Sequence, residues 1–550
     1  MRIVLAIVVI ALVFLIAVPL WRVIQYALTP DGLGVLASIV TNPTNVRIAI
    51  NTLVLGVTVG TVGTVVGFLF AFAQVRLRFR GKKLLHLIAL LPIVSPPFAV
   101  ATSLITLFGR NGMISSDLLG LSLDVYGLSG LTIVLSLSFF PVAYMNMKGM
   151  LESMDPALDE ASSDLGGTAL RTFRKVTLPL MLPAIAGSFL LLFVEAIADL
   201  ANPLVIGGDY TVLAARAYLA LTGEYNVPAA AGYSIALLLP ALLVFGLQRY
   251  WVTRKNVVTI TGKPAGTQRP IRDLRIAIPV LTIVVAIALF IILIYATVLI
   301  GGFVKILGVN NELTLDHYRY ILLGVGSDAT RDTVMLALIA TPIAGILGMA
   351  IGWLVVRKLR RLGGVLDFVG MLGVAVPGTV LGIGYAVSYS TPVEIFGLQV
   401  FPALAGGAAI LGGVVAIVMV FVATTVPMGQ RAAISSLQQI HPAIDEAATS
   451  LGASGARTFR TVTLPLIRPA LLTGLVSAFA KCMTLLSAIV FITTPSVQLM
   501  TAQILNEVES GRFGNAFAFC TLLIVIVLTV VGLMNLVLRS RLLVRGGDDD

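Results

Sequence analysis

The 550-residue sequence predicts an all-α polytopic membrane protein, with about twelve transmembrane helices in two parallel six-helix repeats. Three observations carry this expectation. The chain is 58% hydrophobic and 11% charged, with a mean hydropathy of +1.01, too poor in charge to wet the surface of a soluble protein of its size. Apolar runs of about 20 residues recur, each long enough as a helix to cross about 30 Å of hydrocarbon. A polar segment is written twice, once from Leu158 to Pro183 and again from Ile444 to Pro469. Strand content is expected to be low, because open sheets leave backbone groups unpaired in lipid.

Taken in order, the first half offers spans at roughly 3–20, 51–75, 84–108, 130–150, 180–200 and 229–248. The run at 3–20 reads as a retained span rather than a cleaved leader. It is long, and Val18-Pro19-Leu20-Trp21 follows it instead of an Ala-x-Ala site. The second half offers roughly 276–300, 333–356, 365–388, 404–428, 469–492 and 517–538. Between them "QRYWVTRKNVVTITGKPAGTQRPIRDLR" is polar and basic, with Gly and Pro, and reads as a linker. The domain reading is therefore 1–250, a linker at 251–275, and 276–550, with the repeated loops at 155–183 and 441–469.

Charge sets the expected orientation. With both termini cytoplasmic, the inner stretches hold 28 of the 37 Lys and Arg residues, and "RLRFRGKK" and "RKLRR" occupy equivalent places in the two halves. The net charge of +11 thus belongs to short loops beside a bilayer and not to a nucleic-acid surface. Cys482 and Cys520 both fall in apolar runs, and no metal-ligand spacing exists. His86, His317 and His441 are scattered and make no cluster.

The two polar segments align without a gap at an offset of 286, and 18 of 29 positions from Pro156 to Ala184 match Pro442 to Ala470. Six spans per repeat is an even number, so both copies face the same way. Each copy reads as an amphipathic helix of about ten residues. Pro156 and Pro442 suit the first helical position, and Asp155 is a better N-cap than its counterpart His441. Asp159, Glu160, Asp445 and Glu446 suit the positive end of a helix dipole. Leu158, Ala161 and Leu165 share a face, as do Ile444, Ala447, Ala448 and Leu451. Gly166 and Gly452 end the helix, and Arg171, Phe173 and Arg174 are repeated as Arg457, Phe459 and Arg460. A surface helix that only covers the bundle floor has no reason to repeat so closely.

These residues, "DEASSDLG…TLPL" and "DEAATSLG…TLPL", resemble the EAA loop of ABC-importer membrane subunits, with Ser162 in place of the second Ala in the first copy. The resemblance implies the type I ABC importer permease fold. It implies that Asp159, Glu160, Ala161, Gly166, Asp445, Glu446, Ala447 and Gly452 belong to coupling helices that dock on an ATPase. The implied partners are a homodimer of ATP-binding-cassette subunits, which carry the ATP and Mg, and an extracytoplasmic substrate-binding protein. The chain itself is expected to hold no cofactor and no catalytic residue, since "TGKP" at 261–264 lacks the first Gly and the Ser/Thr of a phosphate-cradling loop. The setting implied is a bacterial cytoplasmic (inner) membrane.

The two-in-one layout, with "ADLANPLVIGG" after the fifth span, resembles the ferric-iron importer permease branch, which is also similar to permeases for phosphonates, sugar phosphates and polyamines. Intramembrane charge is scarce and therefore informative. Glu195 and Asp199 lie four apart on one helical face, and the 286 offset maps Glu195 onto Lys481. A gate pair across the pathway is one reading of Glu195 and Lys481; a static ion pair or snorkelling charges is the other. Asp199 and Asn202, with Gly207-Gly208-Asp209-Tyr210, are expected near the outer mouth. Asp and Tyr oxygens there would suit a hard ferric ion, though outer acids commonly serve only solvation. Gly56-x-x-x-Gly60, Gly63-x-x-x-Gly67, Gly348-x-x-x-Gly352 and Gly378-x-x-x-Gly382 read as helix-packing motifs. The rival from another class is an ion-gradient-driven secondary transporter with Glu195 as its proton site. Such a transporter has no need of a twice-written polar loop.

Overall fold

The computed structural model describes residues 2–121, 124–254, 273–359, 361–395, 398–407, 409–441 and 443–545. Among these, ten helices are long and apolar enough to cross a bilayer: Arg2–Ala27, Pro43–Arg76, Leu128–Ser153, Ala169–Ala198, Val227–Gln248, Leu274–Gly301, Ser327–Lys358, Ile410–Gln439, Phe459–Thr484 and Phe513–Met534. Two bent pairs, Lys82–Val94 with Phe98–Ser116 and Gly363–Ala375 with Gly378–Tyr389, bring the total to twelve if each pair is one crossing. In chain order these are spans 1 to 12, with the bent pairs as spans 3 and 9. Linker residues 255–272 lie outside the described residues.

Spans 3 and 9, expected at 84–108 and 365–388, are each broken into two helices that bend by 105° and 96°. Proline is the cause. Ser95 precedes Pro96 at φ −93° and ψ 150°, and Val376 precedes Pro377 at φ −85° and ψ 128°. The ring of a proline drives the residue before it out of the helical region. The tenth span also starts later than 404. Leu411 and Gly412 hold positive φ, so the regular helix begins at Val414 and continues through polar residues to Gln439. Span 5 starts earlier and span 11 stops earlier than expected, at Ala169 and Thr484. Two short antiparallel hairpins, Val304–Ile306 with Asn310–Leu313 and Val393–Ile395 with Leu398–Phe401, are the strands among the described residues.

Each half sends its first span into the other. Span 1 packs on span 9, where the Tyr385 hydroxyl donates to the Leu15 carbonyl at 2.8 Å and Tyr389 to Phe14 at 2.6 Å. Span 7 packs on spans 2 and 3, where Ser103 donates to the Ile294 carbonyl at 3.1 Å. Ser95, in the bend of span 3, shares a 2.7 Å hydrogen bond with the Tyr295 hydroxyl. These bonds replace water that hydrocarbon cannot supply.

Within a half, span 2 lies against spans 4 and 5, and span 8 against spans 10 and 11. Glycines make the approach possible. A Cβ on Gly56 would stand 2.7 Å from Phe193, one on Gly60 2.9 Å from Phe189, and one on Gly67 2.7 Å from the Ala143 Cβ. In the second half a Cβ on Gly348 would stand 2.6 Å from the Gln430 backbone nitrogen. His86 Nδ1 meets the Tyr144 hydroxyl at 2.6 Å and joins spans 3 and 4; Gln430 donates to Asp367 at 2.8 Å and joins spans 9 and 10.

Because the atoms facing Gly348 are backbone, they cannot yield. Gly348→Ala is expected to cost about 1–3 kcal/mol and to lower the melting temperature of the detergent-solubilised protein. Gly532→Ala in span 12, where a Cβ meets nothing within 4 Å, is the control expected to melt like the parent. Equal melting of both variants would refute the close-packing account.

Candidate functional site

The repeated segments form two short helices on one face of the bundle, Ala157–Asp164 and Ala443–Ser450. Each has eight residues rather than the expected ten. Asp155 Oδ1 accepts from the Ala157 backbone nitrogen at 3.0 Å, and His441 Nδ1 accepts from Ala443 at 3.2 Å. Histidine thus occupies the cap position in the second copy. Gly166 at φ +75° and Gly452 at φ +80° stand in the left-handed region where each helix ends.

No residue of the first loop helix is buried. Glu160, Ala161 and Ala447 are exposed, and so is the apolar face, with Leu165 88% and Leu451 89% accessible and Leu158 and Ile444 also exposed. A helix that merely closed the bundle would turn this face inward. The side chains of Asp445 and Glu446 lie outside the described residues.

Three kinds of contact hold these helices to the spans. Asp159 forms an ion pair with Arg76, the last residue of span 2. Ser162 shares a 2.7 Å hydrogen bond with Thr172, so the serine that departs from the repeat ties the first loop helix to the start of span 5. Phe173 packs on Phe68 and Phe72 of span 2, with ring centroids 6.0 and 5.7 Å apart, and Phe459 packs on Trp353 of span 8 at 5.9 Å. In both halves the phenylalanine opens a wide helical turn, Phe173–Thr177 and Phe459–Thr463. Sequence reasoning did not find Arg76, which was only one of several bases in "RLRFRGKK".

The intramembrane charges lie at the far ends of spans 5 and 11. Both helices stop at matching positions, Ala198 and Thr484, with Glu195 and Lys481 in their last turns. Asp199 accepts from the Asn202 backbone nitrogen at 2.9 Å and from its side-chain amide at 3.0 Å, and so caps the short helix Ala201–Ile206. Asn202 is fully buried, and its Oδ1 has no partner among the described residues. Glu195 and Lys481 both act electrostatically on Asp199, so charges from the two halves share one neighbourhood. The expected contact pair between Glu195 and Lys481 is not among the described ion pairs. Both side chains are half-buried, and neither has an ion-pair partner among the described residues. Tyr210 is committed elsewhere, donating its hydroxyl to the Asn51 carbonyl at 2.9 Å. No group of three or more His, Cys, Asp or Glu side chains among the described residues is placed to hold a metal ion.

At the face opposite the loop helices, Glu507 is fully buried at the end of the helix Met500–Glu509. It accepts from Arg512 at 2.6 Å, Asn515 at 3.0 Å, Tyr320 at 3.1 Å and Gln503 at 3.2 Å. His317 meets Asn515 Oδ1 at 2.7 Å and donates to the Val304 carbonyl at 3.1 Å, which extends the network to the first hairpin. Nothing in "NEVESGRFGN" separates this buried carboxylate from an ordinary loop acid.

Ten long apolar helices with two bent pairs, exchanged first spans and twin exposed loop helices define a membrane-spanning transport permease with two fused halves. The profile described as "Binding-protein-dependent transport system inner membrane component" matches residues 63–257 and 340–544. The chain belongs to that family; it is an ABC importer permease subunit and not an enzyme. It is similar to the ferric transport system permease protein FbpB of Actinobacillus pleuropneumoniae, 34% identical over 501 residues that cover 88% of this chain and 70% of that one. It is 24% identical over 523 residues to the Fe(3+)-transport system permease protein FbpB 2 of Haemophilus influenzae, covering 93% and 95%. The spermidine/putrescine transport system permease protein PotC of the same organism is 31% identical over 218 residues, 39% of this chain and 79% of that one.

Burial acts to raise the Glu507 carboxyl, but the donors Arg512, Asn515 and Tyr320 outweigh it and hold the group below the usual carboxylate range. Its contribution to stability is therefore full above the unfolded value of about 4.3 and is lost as pH falls through the lower folded value. Melting curves from pH 7 down to about 3 should show parent and Glu507→Gln converging at the acid end. A constant gap across that range would contradict the assignment.

Proposed function

We propose that this chain is the pathway-forming subunit of a ferric-iron importer and that the helices Ala157–Asp164 and Ala443–Ser450 are its coupling helices. The observation that carries the coupling reading is the pair of exposed apolar faces around Leu165 and Leu451, which nothing in the chain covers among the described residues. The partner is a dimer of identical ATP-hydrolysing subunits, which bring ATP and Mg. Docking buries the leucines, and Glu160 and Glu446 meet the partner's surface. The loop-helix face is then cytoplasmic, with both termini, in accord with its excess of Lys and Arg. A substrate-binding protein delivers cargo at the opposite face.

Ferric iron is favoured because two relatives whose names carry it match 88% and 93% of the chain, whereas the polyamine permease matches 39% of it. Glu195, Asp199, Asn202 and Lys481 line the pathway where spans 5 and 11 stop. Asp199 and Asn202 hold the break in shape. Glu195 and Lys481 place opposite charges on equivalent helices, and their approach and separation serve as a gate while the halves move. Membership of the family removes the gradient-driven alternative.

The test is reconstitution in proteoliposomes with the ATPase and a ferric-loaded binding protein. Uptake of iron and not of spermidine is expected; spermidine uptake would reassign the cargo. Glu160→Arg with Glu446→Arg should lower uptake at least about tenfold while hydrolysis continues, and undiminished uptake would dismiss the coupling helices. For the gate, Glu195→Ala and Lys481→Ala should each alter uptake. Exchange of the two charges should not restore it fully, as it would for a static lock. Single Ala variants with parental uptake would end the gate reading.

A further inference from the structure

The two loop helices are fastened to the spans by an arginine at an equivalent place in each half, which the 286 offset of the repeat conceals. Spans 4 and 10 correspond at 286, as Tyr144 and Gln430 do. Spans 2 and 8 correspond at 281. Thr52 and Thr333 each accept a 2.8 Å hydrogen bond from the first residue of an outer helix, Leu213 and Met500. Gly67 and Gly348 each press on the backbone nitrogen of Tyr144 and of Gln430. Continuing along these helices, Arg76 falls on Arg357. Arg76 pairs with Asp159 in the first turn of one loop helix; Arg357 donates to the Ile440 carbonyl at 3.0 Å, at the entrance to the other.

Stability alone does not account for this arginine. The Arg76 side chain is 5% accessible, and its Nε is buried with no partner among the described residues. A buried ion pair gains little over well-packed apolar residues of the same volume, because both charges must leave water. What the pair adds is direction. A guanidinium bonded to a carboxylate fixes the angle as well as the distance between two elements. Phe173, on Phe68 and Phe72, gives the second point that stops the loop helix turning about the first.

Span 2 then carries displacement onward. Its glycines at 56, 60 and 63 receive Phe193, Ile197, Phe189 and Leu192 of span 5. Two residues beyond Phe193 lies Glu195. Span 5 therefore cannot slide along span 2 without lifting these side chains out of their notches.

We propose that Arg76 and Arg357 are positioning residues for transport: each ties a coupling helix to the second span of its half, so that movement of the helix becomes movement of spans 5 and 11. This proposal rests on the coupling reading above, and its test separates the two.

Spin labels on Leu219→Cys and Leu323→Cys, exposed residues of opposite halves on the face away from the loop helices, report the separation of the halves. The native cysteines Cys482 and Cys520 are buried. With the ATPase bound, ATP should change the label distance in the parent. If the ATPase does not bind the parent, or no change occurs, the coupling reading itself fails. Arg76→Gln and Arg357→Gln should keep the ATPase bound while the shifted population shrinks at least about fivefold. Arg76→Met with Asp159→Leu preserves burial without the charges and should fold and lose the shift. Arg76→Asp with Asp159→Arg should regain part of it. ATP-driven shifts equal to the parent's in the Gln and Met/Leu variants would overturn the proposal. So would a loss that follows only a lower melting temperature.

Discussion

In hydrocarbon a helix gains nothing by hiding an apolar side chain from lipid, so the bundle must be held by close approach. Span 2 and its counterpart span 8 provide it. Their glycines bring the backbone so near that an added methyl group would collide with main-chain atoms of spans 4 and 10 at Gly67 and Gly348, and with side chains of span 5 at Gly56, Gly60 and Gly63. The same spans are fixed at both ends. Thr52 and Thr333 accept from the first residues of the helices Leu213–Thr222 and Met500–Glu509, away from the loop helices. Arg76 and Arg357 reach the loop helices at the other end. Each is thus a rod running from one face to the other.

The exchange of first spans has a different physical effect. Tyr385 and Tyr389 bond to backbone carbonyls of span 1, and Ser103 bonds to a carbonyl of span 7. Each half is embraced by a helix of the other, close to the proline bends of spans 3 and 9. Pulling the halves apart at these embraces would strand hydroxyls and carbonyls in lipid.

Fusion has let the two halves diverge where identical subunits could not. Glu195 stands opposite Lys481, Ser162 opposite Ala448, and Asp155 opposite His441. The loop helices keep their shape regardless. His441 supplies the cap that Asp155 supplies, and the left-handed glycine is present in both. Divergence includes how each helix is fastened and the charge that spans 5 and 11 each bring to the neighbourhood of Asp199.

The sequence by itself determined the spans, their two-fold repetition and the twin loop helices. These depend on local properties: an apolar run long enough to cross, a cap, a glycine that tolerates positive φ. It also named the packing glycines, since their spacing is that of a helical face. The bends of spans 3 and 9 were written in Ser95-Pro96 and Val376-Pro377 yet read through, because hydropathy registers length and not direction. Only the tertiary structure decided which helices touch. It turned Leu165 and Leu451 outward, buried Glu507 among four donors, left Glu195 and Lys481 near Asp199 without contact, and joined Arg76 to Asp159. Each of these sets the desolvation of a charge or an apolar face against partners distant in the chain, and that balance exists only once the partners are assembled.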